Sequence, residues 1–210
     1  MNLPNGLTAS RIFLSPVFFL VYFLPLWSGV FLEGSIALIW LLFLYVEFSD
    51  MADGEVARRR NQVTDLGKVL DPFADVIARL TYFVCLTASN LMPIWAFIII
   101  MYREFGIVFV RLLMYRRGVA LAARRGGKVK TLTYSFAAGA GLLLSSLNRL
   151  DLFEPLGRIG RFTPLPIEDG GIVAVISVIA LVLYIAAAAL SLLSFGDYLR
   201  VFRTSNSDRE

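Results

Sequence analysis

The sequence predicts an all-α membrane protein with about six transmembrane helices and both termini in the cytoplasm. Hydrophobic residues make up 58% of the 210 residues, and the mean hydropathy is +0.71. Soluble domains are typically only about 45–50% apolar. The excess falls in blocks of the length that a helix needs to cross a bilayer, about 20 residues. We therefore expect one membrane domain covering residues 1–210.

Six apolar segments are separated by polar, glycine-containing or proline-containing stretches. The predicted helices cover residues 12–31, 35–58, 64–90, 94–115, 131–147 and 171–195; the apolar part of the second helix is 35–48, and its polar end extends to or beyond the membrane face. Residues 1–9 are expected to form an interfacial turn in which Thr8 could cap the first helix. We also predict a turn at Glu33 and Gly34, a basic cytoplasmic loop over 116–130 and a flexible tail over 200–210.

The distribution of basic residues predicts which side of the membrane each loop faces. With six spans, three arginines fall on one side: Arg149, Arg158 and Arg161. Fourteen basic residues fall on the other side, with both termini: Arg11, Arg58, Arg59, Arg60, Lys68, Arg116, Arg117, Arg124, Arg125, Lys128, Lys130, Arg200, Arg203 and Arg209. Cytoplasmic loops are enriched in Lys and Arg. The termini and the basic loop should therefore face the cytoplasm, and we expect the bacterial inner membrane as the location.

The residues that are scarce or absent narrow the possible chemistry. The chain has no histidine, which excludes Ser-His-Asp, Cys-His and histidine-metal mechanisms. Its one cysteine, Cys85, excludes an intrachain disulfide and a zinc-cysteine cluster, and we expect it to be a small buried side chain. The first apolar block lacks the features of a cleaved signal peptide, so we expect it to be retained. The net charge of +4 favours anionic lipid surfaces and anionic substrates over nucleic acid.

A polar stretch between apolar segments, residues 50–75, carries the candidate chemistry. On a helix, Asp50 and Asp53 share one face, and Asp71 and Asp75 share another. Acidic residues at a membrane edge are costly unless they are paired, bind ions or take part in chemistry. Divalent cations would allow several such carboxylates to stay ionised together. The alternative is a solvated, charge-balanced loop between two helices.

Small residues and an arginine accompany these acids. Gly54, Ala57 and Gly67 leave space for a bulky ligand beside the helices, and Arg58 offers a planar fork for phosphate oxygens. Metal-binding acids at a cytoplasmic membrane face indicate a diphosphate substrate with a lipid tail.

The complete pattern is Asp50-x2-Asp53-Gly54-x2-Ala57-Arg58-x8-Gly67-x3-Asp71-x3-Asp75. It resembles the signature of the CDP-alcohol phosphotransferase family at all eight fixed positions. Members of this family are six-helix membrane enzymes that usually form homodimers. They transfer a phosphatidyl group from CDP-diacylglycerol, or a phospho-base from a CDP-alcohol, to an alcohol and release CMP. Helix number, length and motif position extend the resemblance over most of the chain.

The resemblance implies a role for each motif residue. Asp50, Asp53, Asp71 and Asp75 would bind Mg²⁺ or Mn²⁺, with two ions expected. Asp75 would also be the catalytic base that takes the proton of the acceptor hydroxyl. The CDP-lipid would be bound by Gly54, Ala57, Arg58 and Gly67.

The start of the chain and its basic residues resemble the phosphatidylglycerophosphate synthase branch of this family. The N-x2-T-x2-R pattern of Asn5, Thr8 and Arg11 implies further contacts with the CDP-lipid. Arg103-Glu104 and the segment 127–131 also resemble that branch. The implied acceptor is glycerol 3-phosphate, and the cations that could hold its phosphate are Arg103, Arg111, Arg116, Lys128 and Lys130.

Several alternatives stay open. The chain departs from that branch at Val76, where a lysine is common, and at Glu55, where an aromatic residue is common, so inositol 1-phosphate or inositol could be the acceptor. The basic loop could serve only topology and lipid attraction. Glu104 could pair with Arg79 or Arg111. A cation transporter would need acids spread through the membrane depth, whereas these acids cluster at one face.

Overall fold

A computed structural model describes residues 3–60, 65–116, 125–150 and 171–207 of the chain, with side chains for residues 6, 8–49, 70–114, 129–150, 171–196 and 198. These residues form six α-helices: α1 (Leu3–Ser28), α2 (Leu32–Arg60), α3 (Asp65–Ala88), α4 (Ile94–Arg116), α5 (Arg125–Arg149) and α6 (Ile172–Ser207). The predicted all-α class is confirmed.

Three segments in the described part of the chain have the length and apolar composition needed to cross a membrane. They are Thr8–Ser28 in α1, Leu32–Ser49 in α2 and Ile172–Gly196 in α6. The other helices, α3, α4 and α5, are also long enough to span, and α4 contains Arg103, Glu104 and Arg111 in its middle and second half. The composition therefore identifies a membrane protein.

The first predicted turns are wrong in position. Helix α1 already begins at Leu3, so Thr8 lies inside the helix and does not cap it. The turn predicted at Glu33 and Gly34 lies earlier, where Gly29 and Phe31 have φ angles of 71° and 68°. The Gly29 amide donates to the Pro25 carbonyl at 2.9 Å, which is the usual way a glycine with positive φ ends a helix.

Two predicted boundaries near the basic regions are also corrected. Helix α5 begins at Arg125, so Lys128 and Lys130 are helical rather than part of a loop. Helix α6 continues to Ser207 and includes most of the segment predicted as a flexible tail. Residues 117–124 of the predicted basic loop and the last residues, 208–210, lie outside the described residues.

The helices belong to two compact units. The first contains Met1–Ser89 and Ser145–Pro155, and the second contains Asn90–Leu144 and Leu156–Glu210. In the first unit, α1 packs against both α2 and α3. Near the start of α1, Thr8 contacts Asp71 near the start of α3, and farther along α1, Tyr22 contacts Ser89 just after α3. Residue numbers rise in the same direction on both helices, so α1 and α3 run parallel.

An aromatic cluster fills the middle of the first unit. The Tyr82 ring on α3 lies 4.8 Å from the Phe18 ring on α1 and 5.3 Å from the Phe43 ring on α2, measured between centroids. All three side chains are buried. Cys85 is buried one turn beyond Tyr82, as predicted. The cluster brings Phe18, Phe43 and Tyr82 to the same height along the axes of α1, α2 and α3. It therefore sets the relative positions of the polar ends of these helices.

Hydrogen bonds join the other end of the first unit. The buried Tyr22 hydroxyl lies 3.0 Å from Ser89 Oγ and 2.9 Å from Ser145 Oγ. Arg149 Nη2 donates to the Tyr22 carbonyl at 2.8 Å, and its guanidinium lies 4.1 Å from the Tyr22 ring centroid. Trp40 Nε1 donates to Ser146 Oγ at 3.0 Å. Polar groups thus connect α1, α2 and α3 to the end of α5.

In the second unit, α4 packs against α6. Gly106 allows a close approach there, since a β-carbon at this position would lie 3.0 Å from Phe195 Cε2. Ala137 and Ala138 of α5 are buried, and small side chains of this kind let helices pack closely.

Tyr22→Phe should destabilise the first unit. The change leaves the hydroxyls of Ser89 and Ser145 without their partner, which typically costs about 1–3 kcal/mol. Tyr45→Phe is the matched control, because its hydroxyl meets Ser10 Oγ at 3.1 Å on the exposed surface and should contribute under about 0.5 kcal/mol. Thermal unfolding in detergent micelles would compare the variants. Equal unfolding midpoints would show that the buried hydroxyl adds no stability.

Candidate active site

Two polar residues of α1 contact the two acids of α3. Arg11 Nη1 donates to Asp75 Oδ1 in an ion pair. Thr8 Oγ1 donates to Asp71 Oδ1 at 2.5 Å. The spacing is matched, because Thr8 and Arg11 are one turn apart on α1 and Asp71 and Asp75 are one turn apart on the parallel helix α3. Two residues predicted to bind the CDP-lipid therefore lie beside two predicted metal ligands.

Asp75 faces a second arginine. Arg79 Nη2 lies 4.0 Å from Asp75 Oδ2, one helical turn along α3. The Arg11 side chain is only 2% exposed, whereas the Asp75 side chain is 23% exposed. The carboxylate is thus held by a buried cation and is still reachable from solvent.

The remaining motif residues belong to the adjoining helix ends. Asp50, Asp53, Gly54, Ala57 and Arg58 all lie in the last turns of α2, and their side chains are outside the described set. The contact between Phe43 of α2 and Tyr82 of α3 gives a common reference point on these two helices. Asp50 is seven residues after Phe43 on α2, and Asp75 is seven residues before Tyr82 on α3.

Seven residues are about two helical turns, or roughly 10 Å. Helix α2 runs opposite to α1, since only residues 29–31 connect these two packed helices and Tyr45 of α2 meets Ser10 near the start of α1. Because α1 and α3 are parallel, α2 and α3 are antiparallel. Two turns along each helix from the aromatic contact therefore lead to the same end of the first unit. The backbone brings both acid pairs to this end.

Two of the four carboxylates predicted to bind Mg²⁺ or Mn²⁺ lie at the described part of this end. Asp71 is exposed and Asp75 is partly exposed, and carboxylate oxygens are the ligands that Mg²⁺ and Mn²⁺ prefer. The residues with described side chains contain no group of three potential metal ligands, and the other two predicted ligands, Asp50 and Asp53, are outside that set. Gly67, near the start of α3, and Asn5, near the start of α1, are outside it as well.

The second unit contains a separate charged cluster. Glu104 Oε1 accepts from Arg103 Nη1 at 2.7 Å and from Lys130 Nζ at 2.6 Å. All three residues are at least 95% buried. These partners of Glu104 differ from the two that the sequence suggested, Arg79 and Arg111. Removing one member of a buried charge pair is typically costly because it leaves the other uncompensated.

Each described cation of the predicted acceptor site has a protein partner. Arg103 Nη2 donates to Ser194 Oγ at 2.7 Å, and Lys130 Nζ lies 4.8 Å from the Tyr134 ring centroid. Arg111 Nη2 donates to the Tyr198 hydroxyl at 3.1 Å. The other two predicted cations, Arg116 at the end of α4 and Lys128 near the start of α5, have side chains outside the described set.

The partners of these cations were not predicted from the sequence. Ser194 and Tyr198 belong to α6, whose sequence predicts an apolar span, and Tyr134 lies on α5. A signal was present, because a charge inside an apolar helix requires a polar partner. Ser191 and Ser194 lie one turn apart on α6 and could supply such a polar strip.

Comparison with known proteins shows the family. Residues 1–195 match the family model for CDP-alcohol phosphatidyltransferase. The chain therefore belongs to the CDP-alcohol phosphatidyltransferase family, and the resemblance based on the eight motif positions is confirmed.

Individual relatives are similar over much of their length. A Treponema pallidum protein named CDP-diacylglycerol--glycerol-3-phosphate 3-phosphatidyltransferase is 35% identical over 214 residues, covering 96% of this chain and 89% of the relative. A Bacillus subtilis protein of the same name is 37% identical over 148 residues, covering 68% and 77%. A Streptomyces coelicolor protein named cardiolipin synthase (CMP-forming) is 34% identical over 104 residues, covering 50% and 47%.

Arg11→Met should destabilise the protein through Asp75. The change removes the buried partner of that carboxylate, and a hydrogen bond to a charged group contributes about 1.5–3 kcal/mol. Arg79→Met is the control, since its 4.0 Å separation from Asp75 is too long for a hydrogen bond and should contribute less.

A double-mutant cycle with Asp75→Asn isolates the pair in thermal unfolding experiments. Arg11→Met should cost less in the Asp75→Asn background than in the parent. Equal costs in both backgrounds would show that the two side chains do not interact.

Proposed function

We propose that the protein transfers the phosphatidyl group of CDP-diacylglycerol to sn-glycerol 3-phosphate, giving phosphatidylglycerophosphate and CMP. The observation that carries this proposal is the family match over residues 1–195, together with relatives named for this reaction at 35% and 37% identity. The three apolar helices agree with a substrate that is dissolved in the bilayer.

In this reaction, Asp75 takes the proton from the attacking hydroxyl of the acceptor. A positioned general base typically contributes about 10²–10⁴-fold to the rate. Its partial exposure supports this role, because the base must reach the substrate. Its ion pair with Arg11 also supports it, because the guanidinium fixes one carboxylate oxygen.

We assign Mg²⁺ or Mn²⁺ as the cofactor, as two ions held by Asp50, Asp53, Asp71 and Asp75. Bound there, the ions would neutralise charge on the diphosphate and hold the reacting groups in line. Thr8 orients one of these ligands by donating to Asp71. The residues assigned to the CDP-lipid are Asn5, Thr8, Arg11, Gly54, Ala57, Arg58 and Gly67.

We assign the phosphate of the acceptor to the basic residues of α4 and α5: Arg103, Arg111, Arg116, Lys128 and Lys130. For the membrane arrangement we propose six spans, with both termini and the acids on the cytoplasmic side of a bacterial inner membrane. Helices α3, α4 and α5 have 24, 23 and 25 residues, more than the roughly 20 that a span needs. We further propose a homodimer, as the family resemblance implies.

The identity of the acceptor is the part of the proposal most in need of a direct test. Val76 and Glu55 depart from the phosphatidylglycerophosphate synthase pattern. One relative is named for a different product, cardiolipin. Family membership therefore leaves inositol 1-phosphate and inositol as alternative acceptors for the same chemistry.

The purified protein should release CMP from CDP-diacylglycerol when glycerol 3-phosphate and Mg²⁺ or Mn²⁺ are supplied, and chelation by EDTA should abolish release. A panel of glycerol 3-phosphate, inositol 1-phosphate and inositol would be compared in one CMP assay. Product from inositol 1-phosphate alone would retain the family chemistry and reject the proposed acceptor. Cation flux in liposomes without any CMP release would instead favour a transporter.

Asp75→Asn should abolish turnover while largely preserving binding of metal and CDP-lipid, because the amide cannot accept the proton. Asp50→Ala should lose metal-dependent nucleotide binding as well. Glu33→Gln, in the first turn at the opposite end of α2, is the matched control and should behave like the parent. CMP release and nucleotide binding are the measurements. Near-normal turnover by Asp75→Asn would reject this residue as the base.

A further inference from the structure

One carboxylate organises two cations in the second unit. Arg103 on α4 and Lys130 on α5 both donate to the same oxygen, Glu104 Oε1. The two cations and the one carboxylate give these three side chains a net charge of +1. The Tyr134 ring, 4.8 Å from Lys130 Nζ, provides a further contact that favours a cation. Glu104 is therefore the group on which the positions of both cations depend.

The guanidinium of Arg103 is fixed at two of its three nitrogens. Nη1 donates to Glu104 and Nη2 donates to Ser194, each at 2.7 Å. Its third nitrogen, Nε, is buried and has no hydrogen-bond partner among the residues that the structure describes. Buried donors are nearly always satisfied, because leaving one unpaired is costly. An oxygen from a bound ligand would satisfy this one.

The chemistry of the ligand follows from the donor. A guanidinium presents N–H groups in a rigid planar fork that matches the oxygens of phosphate and carboxylate. The net positive charge of the cluster favours a small anion as the ligand. A phosphorylated alcohol has the required group.

We propose that Glu104 is a positioning residue for the anionic acceptor, holding Arg103 and Lys130 so that Arg103 Nε is presented to the acceptor's phosphate. This inference rests on the proposed function, since it concerns the acceptor of that reaction. Glu104 itself does not touch the acceptor. It acts through the two cations, whose long side chains would otherwise repel each other and sample many rotamers.

The Glu104 carboxylate could either strengthen or weaken acceptor binding, and the two cases predict opposite results when it is removed. If Glu104 positions the cations, its loss weakens acceptor binding. If it merely competes with the acceptor for the cations, its loss strengthens acceptor binding. Glu104→Gln separates the two, because it removes the charge and nearly preserves the shape.

The experiment measures KM and kcat for each substrate with Glu104→Gln, Glu104→Asp and the control Glu33→Gln. In Glu104→Gln, KM for glycerol 3-phosphate should rise about tenfold or more, the effect of losing charge-assisted hydrogen bonds at the acceptor's anchor. The kcat and the KM for CDP-diacylglycerol should stay within about threefold, as expected for lost binding rather than lost chemistry. Glu104→Asp keeps the charge and should recover part of the loss.

Ser194→Ala is a second variant, which guards against loss of folding in Glu104→Gln. It keeps every charge of the cluster and removes one fixed point of Arg103, so KM for glycerol 3-phosphate should rise about threefold. A KM that is unchanged or lower in both variants would overturn the proposal. A lower kcat, a higher KM for both substrates and a lower thermal stability, all in the same variant, would also overturn the proposal. Such a result would indicate a purely structural role for Glu104.

Thermal unfolding gives a readout that does not need turnover. Glycerol 3-phosphate should raise the unfolding midpoint of the parent and of Glu33→Gln, because a ligand that binds only the folded state stabilises it, and should raise that of Glu104→Gln much less. An equal shift in all three would overturn the proposal. If the parent uses inositol 1-phosphate and not glycerol 3-phosphate, the proposed acceptor fails, and the same comparisons with inositol 1-phosphate decide the role of Glu104.

Discussion

The ion pair between Arg11 and Asp75 is the interaction on which the candidate site depends. Arg11 is almost completely buried, and a buried charge is stable only when it is paired and hydrogen-bonded. This requirement holds the start of α1 against the start of α3 and brings Thr8 to Asp71. The same contact fixes the carboxylate proposed as the base. The Arg11–Asp75 pair therefore both stabilises the contact between α1 and α3 and includes the proposed catalytic base.

The same physical rule governs both units. In the first, the Tyr22 hydroxyl joins the hydroxyls of Ser89 and Ser145. In the second, Glu104 accepts hydrogen bonds from Arg103 and Lys130, and Ser194 of α6 accepts another from Arg103. Apolar surface alone gives little specificity to helices surrounded by lipid, so small residues and satisfied polar groups determine which helices meet. These polar contacts also place the groups that the proposed reaction needs.

Charged residues explain why α3 and α4 do not stand out as apolar spans in the part of the chain that the structure describes. Helix α4 carries Arg103, Glu104 and Arg111, and its hydropathy is lowered by side chains that the fold buries and pairs. Acidic motif residues similarly lower the hydropathy of α3. Charged residues thus weaken the membrane signal of α3 and α4. The described site of the first unit contains two carboxylates, Asp71 and Asp75, whereas the cluster of the second unit contains two cations and one carboxylate.

The sequence by itself determined the all-α class, the six helices, the family and the burial of Cys85, because these follow from apolar blocks, helical spacing and a motif within one local stretch. It misplaced the first turn and the start of α5, since the left-handed Gly29 and Phe31 and the helical Lys128 have no strong local signal. Only the tertiary structure decided that Arg11 pairs with Asp75 and that Glu104 pairs with Arg103 and Lys130. The partners of a charge buried between helices depend on which faces pack together, and residues distant in sequence decide that packing.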